Sequence, residues 1–169
     1  MPQKQSVYHT PMEPKPVRDS RITLTVLMGM ADANIMGNVH GGLIMKLCDE
    51  AAGMAATKHA RRPSVTVAVD SMSFHSPVHL GNLVTVQAEV TWTGRTSIET
   101  KVRVTAENVI TGETTHTNTA YFLYVALDEN RRPTPVPPIL CESDAERENY
   151  ERAAARQAYR LEQRRQGNL

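Results

Sequence analysis

Gly37-Asn38-Val39-His40-Gly41-Gly42-Leu43-Ile44-Met45-Lys46-Leu47-Cys48-Asp49-Glu50-Ala51-Ala52-Gly53 (GNVHGGLIMKLCDEAAG, residues 37–53) is glycine-rich at its start and apolar thereafter. From about Val39 to His59 the chain reads as one helix. It is apolar on nearly every face, through Val39, Leu43, Ile44, Met45, Leu47, Cys48, Ala51, Ala52, Met54 and Ala55. A helix of that kind belongs inside a fold, not on its surface. Two acids interrupt it. Lys46 stands one turn before Glu50 and can pair with it. Asp49 has only Gly42, Met45, Ala52 and Gly53 as helix neighbours. It is therefore expected to be a buried carboxylate with no partner, a costly arrangement and a candidate general base.

Before this helix, Arg21–Leu27 alternates polar and apolar residues as a half-buried strand does, and residues 31–38 read as a polar turn. After it, Lys58, His59, Arg61 and Arg62 cluster ahead of Pro63. They either complement the helix dipole or meet a phosphate. The period then changes to two. Val65, Val67 and Val69, then Val84, Val86, Ala88, Val90 and Trp92, alternate with polar residues. So do Ile98, Thr100, Val102 and Val104, and later Tyr121, Leu123 and Val125. Gly81-Asn82, Gly94-Arg95 and Thr111-Gly112 punctuate these runs as turns. Short links imply antiparallel neighbours. The expected fold is α+β, an antiparallel sheet curled around one long central helix. Residues 1–19 read as a flexible lead-in, 20–129 as the main domain, 130–142 as a proline-rich connector and 143–169 as an exposed, charge-laced helix and tail.

A chain of 169 residues with net charge +1 offers no basic surplus for nucleic acid. Cys48 and Cys141 are too few for a disulfide framework and fit a reducing, cytoplasmic setting. No run resembles a signal peptide or a membrane span. Gly-x-Ser-x-Gly, Walker A and Gly-x-Gly-x-x-Gly motifs are absent. His75 and His79 flank Ser-Pro-Val, a turn, and no metal site is expected there.

Asn38 stands just before the helix. The first N–H groups of a helix lack internal partners and carry the positive end of its dipole. Gly41 and Gly42 let a ligand approach them, an oxyanion site; equally, Asn38 caps the helix and the glycines permit close sheet packing. Asn38 and Asp49 are 49 − 38 = 11 positions apart, roughly 16 Å along a helix. Groups sharing one reacting atom lie within about 3 Å of it. If both residues serve chemistry, a second copy of the chain supplies one of them.

With these residues in view, the chain resembles the hotdog-fold acyl-CoA thioesterases, specifically bacterial single-domain relatives of brain acyl-CoA hydrolase. The resemblance rests on residues 37–53, KHARRPSVTVAVDSMSF (58–74), HSPVHLGN (75–82), TWTGRTSIE (91–99) and YFLYVALDENRRPTPVP (121–137). It implies a homodimer with one continuous sheet, assembled as a trimer of dimers, and hydrolysis of acyl-CoA to free acid and CoA. It implies that Asp49 acts as base or nucleophile and that Asn38 of a partner chain orients water or the thioester carbonyl. Amides near His40, Gly41 and Gly42 would hold the oxyanion. CoA contacts carry over to Arg95, Thr96, Ser97 and Ile98 in the hairpin and to the strand Val67, Ala68 and Val69. No cofactor is implied, since CoA is part of substrate and product; neither nucleic acid nor membrane is a partner.

Two rivals share the fold. A hydratase or dehydratase would need a histidine loop, but Asp32-Ala33-Asn34 continues into Ile35 without its proline or spaced histidine. A non-catalytic acyl-CoA-responsive module would not need the Asn38/Asp49 pair.

Overall fold

The computed structural model describes residues 12–70 and 72–167. Its elements are β1 (Lys15–Pro16), β2 (Ile22–Leu27), α1 (Gly41–Ala60), β3 (Ser64–Val69) and β4 (Ser73–Phe74), then β5 (Asn82–Thr93), β6 (Ser97–Asn108), β7 (Thr114–Ala126), β8 (Ile139–Leu140) and α2 (Asp144–Arg165). The main sheet runs β2-β5-β6-β7-β3, antiparallel throughout, with β4 also on β7. It wraps one face of α1, the α+β architecture expected from the periodicities.

Alternation explains the packing. Val84, Val86, Ala88 and Val90 of β5, Ile98, Val102 and Val104 of β6, and Ala120, Phe122, Tyr124 and Ala126 of β7 are all buried. They form one cluster with Ile44, Leu47, Cys48, Ala51, Ala52, Ala55 and Ala56 of α1. The four alanines keep the helix close to the sheet. Register shifts at Thr66/Ala68, Val90/Trp92 and Val104/Thr105 add the local twist that lets a sheet curl.

The helix is less enclosed than its composition implies. Met45, Lys46, Asp49, Glu50 and Met54 are exposed, because one sheet covers one face and leaves the other open between its edges β2 and β3. Asp49 is therefore not buried in the single chain. The helix also starts two residues late. The Val39 N–H is taken by the Val78 carbonyl (2.9 Å) and Asn38 bridges His79, so neither joins α1. The cap is His40, whose Nδ1 accepts the Gly42 N–H at 2.9 Å.

Both ends of the chain hold to the body more firmly than their sequences indicate. Residues 1–11 lie outside the described residues. Lys15–Pro16 pair in parallel with Ile139–Leu140, Val17 is buried, and Lys15 Nζ donates to the His59 carbonyl at the end of α1 (2.8 Å). The lead-in reading thus fails from Lys15 onward. In the proline-rich stretch, Thr134 N–H donates to Ala126 O (2.9 Å) and Val136 N–H to Arg95 O (3.0 Å). α2 is anchored by charge. Glu99 on β6 is completely buried, receiving Arg156 Nη2 at 2.7 Å, Arg160 Nη2 at 2.7 Å and Thr91 Oγ1 at 2.9 Å. Arg160 also reaches Asp70 at 2.6 Å, and Arg156 lies 3.7 Å over the Tyr121 ring. Far from being wholly exposed, α2 buries Ala153 and Arg160.

Two stability tests follow from these anchors. Glu99→Ala leaves two guanidinium groups without their shared carboxylate and is expected to cost about 3 kcal/mol or more in denaturant unfolding. His59 is buried; its Nε2 is 2.9 Å from the Pro137 carbonyl, and its Nδ1 has no partner among the described residues. Burial, opposed in part by that hydrogen bond, holds its pKa below the ordinary 6.5. The unfolded chain then binds a proton that the folded one refuses, so this contribution is complete above pH 6.5 and is lost as pH falls toward the folded value. The melting temperature should drop on acidification below 6.5, and His59→Gln should flatten that slope.

Candidate active site

Asp49 points from the open face of α1 into a groove of about 1140 Å³ lined by Ile22 and Leu24 of β2, Gly53, Met54 and Thr57 of α1, and Ser64 and Thr66 of β3. It is not unpartnered. Thr66 Oγ1 donates to Oδ1 at 2.8 Å, and the Tyr124 hydroxyl lies 2.8 Å from the same oxygen. Burial, then the bond to Asp49, pushes the Tyr124 pKa above its usual value, so the phenol stays a donor. Oδ2 accepts no hydrogen bond among the described residues, and Asp49 is exposed and lines the groove. The carboxylate is anchored at one oxygen and available at the other. Glu50 pairs with Lys46 at 3.6 Å, as their spacing requires. Cys48 is buried and its thiol pushed up to about 12, by burial first, which makes it an inert packing group.

The second group lies elsewhere. Asn34, Asn38, Gly41, Ile44 and Phe74 line a separate cleft of about 250 Å³ that shares no residue with the Asp49 groove. Asn38 Oδ1 is 3.0 Å from His79 Nδ1. Asn34 organises the whole turn: its Oδ1 accepts the N–H groups of Met36 (2.8 Å) and Asn38 (3.2 Å), and its backbone pairs with Asn38 O and Gly37 N. Gly37 makes this possible with φ +78°, a left-handed conformation that favours glycine. With Oδ1 committed twice, the Asn34 amide can present only Nδ2, which has one long contact to the Val39 carbonyl (3.5 Å) and a second hydrogen to offer.

The oxyanion reading of the glycines narrows. The Gly42 N–H is used by His40, and a methyl at Gly42 would come within 3.0 Å of that imidazole. Gly41 keeps an unpartnered N–H among the described residues. The CoA residues separate as well. Ile98 is fully buried in the core and cannot offer its side chain to a ligand, because even positions on β6 face α1. Arg95 is exposed at the hairpin tip, but the Arg95 and Thr96 carbonyls are taken by Val136 and Ala126 N–H groups. A Cβ at Gly94 would sit 2.6 Å from the Trp92 ring, so any side chain there would have to displace the indole. Val67 and Val69 stand exposed on the free edge of β3, with Ala68 half-buried between them. Thr66, Tyr124, Asn34 and His79 were missed in sequence; only the cross-strand hydrogen bonds and turn geometry bring them to the site.

Residues 36–113 match the family described as the thioesterase superfamily. The chain is 35% identical over 141 residues to protein VdlD of Helicobacter pylori, covering 83% of this chain and 80% of that protein. It is also 35% identical to the rat cytosolic acyl coenzyme A thioester hydrolase, covering 85% of this chain but only 38% of the longer relative. Among solved structures, an apo-hexameric acyl-CoA thioesterase superposes with TM-score 0.87 at 38% identity, covering 90% of this chain and 97% of that one. An acyl-CoA hydrolase from Staphylococcus aureus, solved with butyryl coenzyme A and coenzyme A, does so at 0.80 and 28% identity, covering 91% and 96%. Alanine variants of that hydrolase replace an aspartate, an asparagine 15 positions before it and a threonine 17 positions after it. In this chain Asn34 stands 49 − 34 = 15 positions before Asp49, and Thr66 stands 66 − 49 = 17 positions after it. By its fold, its matched segment and a relative aligned over 80% of its length, the chain belongs to the thioesterase superfamily.

Proposed function

We propose that the protein hydrolyses acyl-CoA thioesters to a free acid and CoA, as a homo-oligomer whose sites lie between chains. The observation that carries this reading is the half-anchored carboxylate: Asp49 Oδ1 held by Thr66 and Tyr124, Oδ2 open to a groove large enough for a substrate. Oδ2 takes a proton from a water as its oxygen attacks the thioester carbonyl. The resulting oxyanion is met by donors from a partner chain, the Asn34 Nδ2 and the Gly41 N–H. Collapse breaks the C–S bond, and the proton held on Asp49 passes to the departing thiolate. Water is consumed, acid and thiol are formed, and no further cofactor enters.

Asn34 replaces Asn38 as the asparagine of choice. Its distance from Asp49 along the chain matches the substituted pair in the Staphylococcus aureus enzyme, and its carbonyl oxygen is fully committed, which fixes the amide as a donor. Asn38 then supports it through a backbone N–H while its own side chain pairs with His79. The exposed edge of β3, carrying Val65, Val67 and Val69, is the surface on which a second chain would continue the sheet. Arg95, Thr96 and Ser97 and the backbone of Val67–Val69 remain the proposed CoA contacts. A reducing cytoplasm suits the two free cysteines, and no described helix is long and apolar enough to cross a membrane.

Thiol release from a panel of acyl-CoAs tests the assignment. Asp49→Asn should lower kcat by about 10³-fold or more, Asn34→Ala by about 10²-fold, and Asn38→Ala by clearly less. Co-assembling the Asp49→Asn and Asn34→Ala chains should restore about a quarter of wild-type activity, since half the dimers are mixed and each rebuilds one of two sites. Full activity in Asp49→Asn, or no recovery in the mixture, would overturn the mechanism. Hydration of an enoyl-CoA without thiol release would favour the hydratase.

A further inference from the structure

The turn that carries Asn34 has an apolar tip. Ile35 is completely exposed (101%) and Met36 nearly so (79%), within a turn closed by four hydrogen bonds: Asn34 N to Asn38 O (2.7 Å), Gly37 N to Asn34 O (3.0 Å), and the two N–H groups on Asn34 Oδ1. A rigid turn holding an isoleucine wholly in water is not explained by the fold of one chain, which gains nothing from it. No described residue covers this apolar tip, which leaves it free to meet a second chain.

We infer that Ile35 and Met36 enter the Asp49 groove of a second copy and form the wall that limits acyl-chain length. The inference rests on the thioesterase reading above. Consecutive Cα atoms are about 3.8 Å apart, so Ile35 and Met36 lie within about 4–8 Å of the Asn34 Cα and are carried to the other chain's groove whenever Asn34 reaches a thioester at its Asp49. The groove they would enter is apolar where it must receive them, between Ile22 and Leu24 on one side and Gly53 and Met54 on the other. Those residues bracket the path an acyl chain would take away from Asp49. The Met36, Gly37 and Asn38 N–H groups are already taken up within the turn, which lowers the polar desolvation that accompanies burial of the two apolar side chains. A second copy is the fitting partner because Asn34 and Asp49 line different clefts of one chain and can serve one thioester only between chains.

The test is the ratio of kcat/KM for long to short acyl-CoAs, from acetyl to palmitoyl, for wild type, Ile35→Val, Ile35→Ala, Met36→Ala and Ile35→Phe, with oligomeric state measured by light scattering. Shortening either side chain should raise the long-to-short ratio by about tenfold or more, and Ile35→Phe should lower it by a similar factor. Ile35→Val removes a single carbon and keeps the readout if Ile35→Ala disturbs assembly. A profile that is unchanged, or that falls uniformly at every chain length, overturns the inference. Absence of thiol release by the wild type at any length would instead sink the thioesterase reading itself.

Discussion

A single sheet can cover only one face of a helix, and the organisation of this protein follows from what α1 leaves uncovered. Its alanine face lies against β5, β6 and β7, where small side chains let the backbone approach closely. The opposite face carries Met45, Asp49, Gly53 and Met54 between the two sheet edges. Leaving apolar residues and a carboxylate in an open groove is unfavourable for an isolated chain. It becomes favourable when a ligand and a second chain close that groove, as apolar burial then replaces exposure. The proposed chemistry depends on the same geometry, because Tyr124 and Thr66 rise from the covering strands beside the open face and hold Asp49 Oδ1 there.

Charge anchors the outer surface as apolar packing anchors the inner one. On β6 the even positions enter the core, while Glu99 and Lys101 turn outward to α2. A buried carboxylate answered by two arginines contributes little net stability compared with an apolar contact but strongly penalises misplacement of any member. The network therefore specifies where α2 sits. Since Arg160 also holds Asp70, immediately after β3, α2 is tied to the strand that flanks the groove. That ion pair links α2 to the end of the strand whose edge carries the proposed CoA contacts.

Much of this was legible in the sequence, and the boundary of legibility is physical. Period-two alternation located Val84–Trp92 and Ile98–Val104 because each strand has one buried face, and the Lys46–Glu50 pair follows from helix geometry alone. Local patterns say nothing about contacts between distant segments. Asp49 looked unpaired because its partners are 17 and 75 residues away. Glu99 looked like any strand-face acid because Arg156 and Arg160 come from the far end of the chain. The cap was missed for another reason: histidine is not among the usual capping residues, so Asn38 was the natural choice. Ile98 looked available to CoA because a turn motif reveals which residues adjoin it, not which way a side chain points.

The choice between the two asparagines shows how orientation can matter more than proximity to a motif. An asparagine amide is both donor and acceptor, and an active site that must stabilise an oxyanion needs only the donor end. A freely rotating amide would spend part of its time offering the wrong atom to the substrate. Two backbone N–H groups on Asn34 Oδ1 remove that ambiguity before substrate arrives. Among the described residues Asn38 Oδ1 has one contact, from an exposed histidine whose tautomer decides whether that nitrogen donates. Preorganisation therefore favours Asn34 independently of any spacing in a relative. It also explains why Gly37 sits three residues on: without its left-handed backbone the turn could not bring the Asn38 N–H back to Asn34, and the donor would be free to flip.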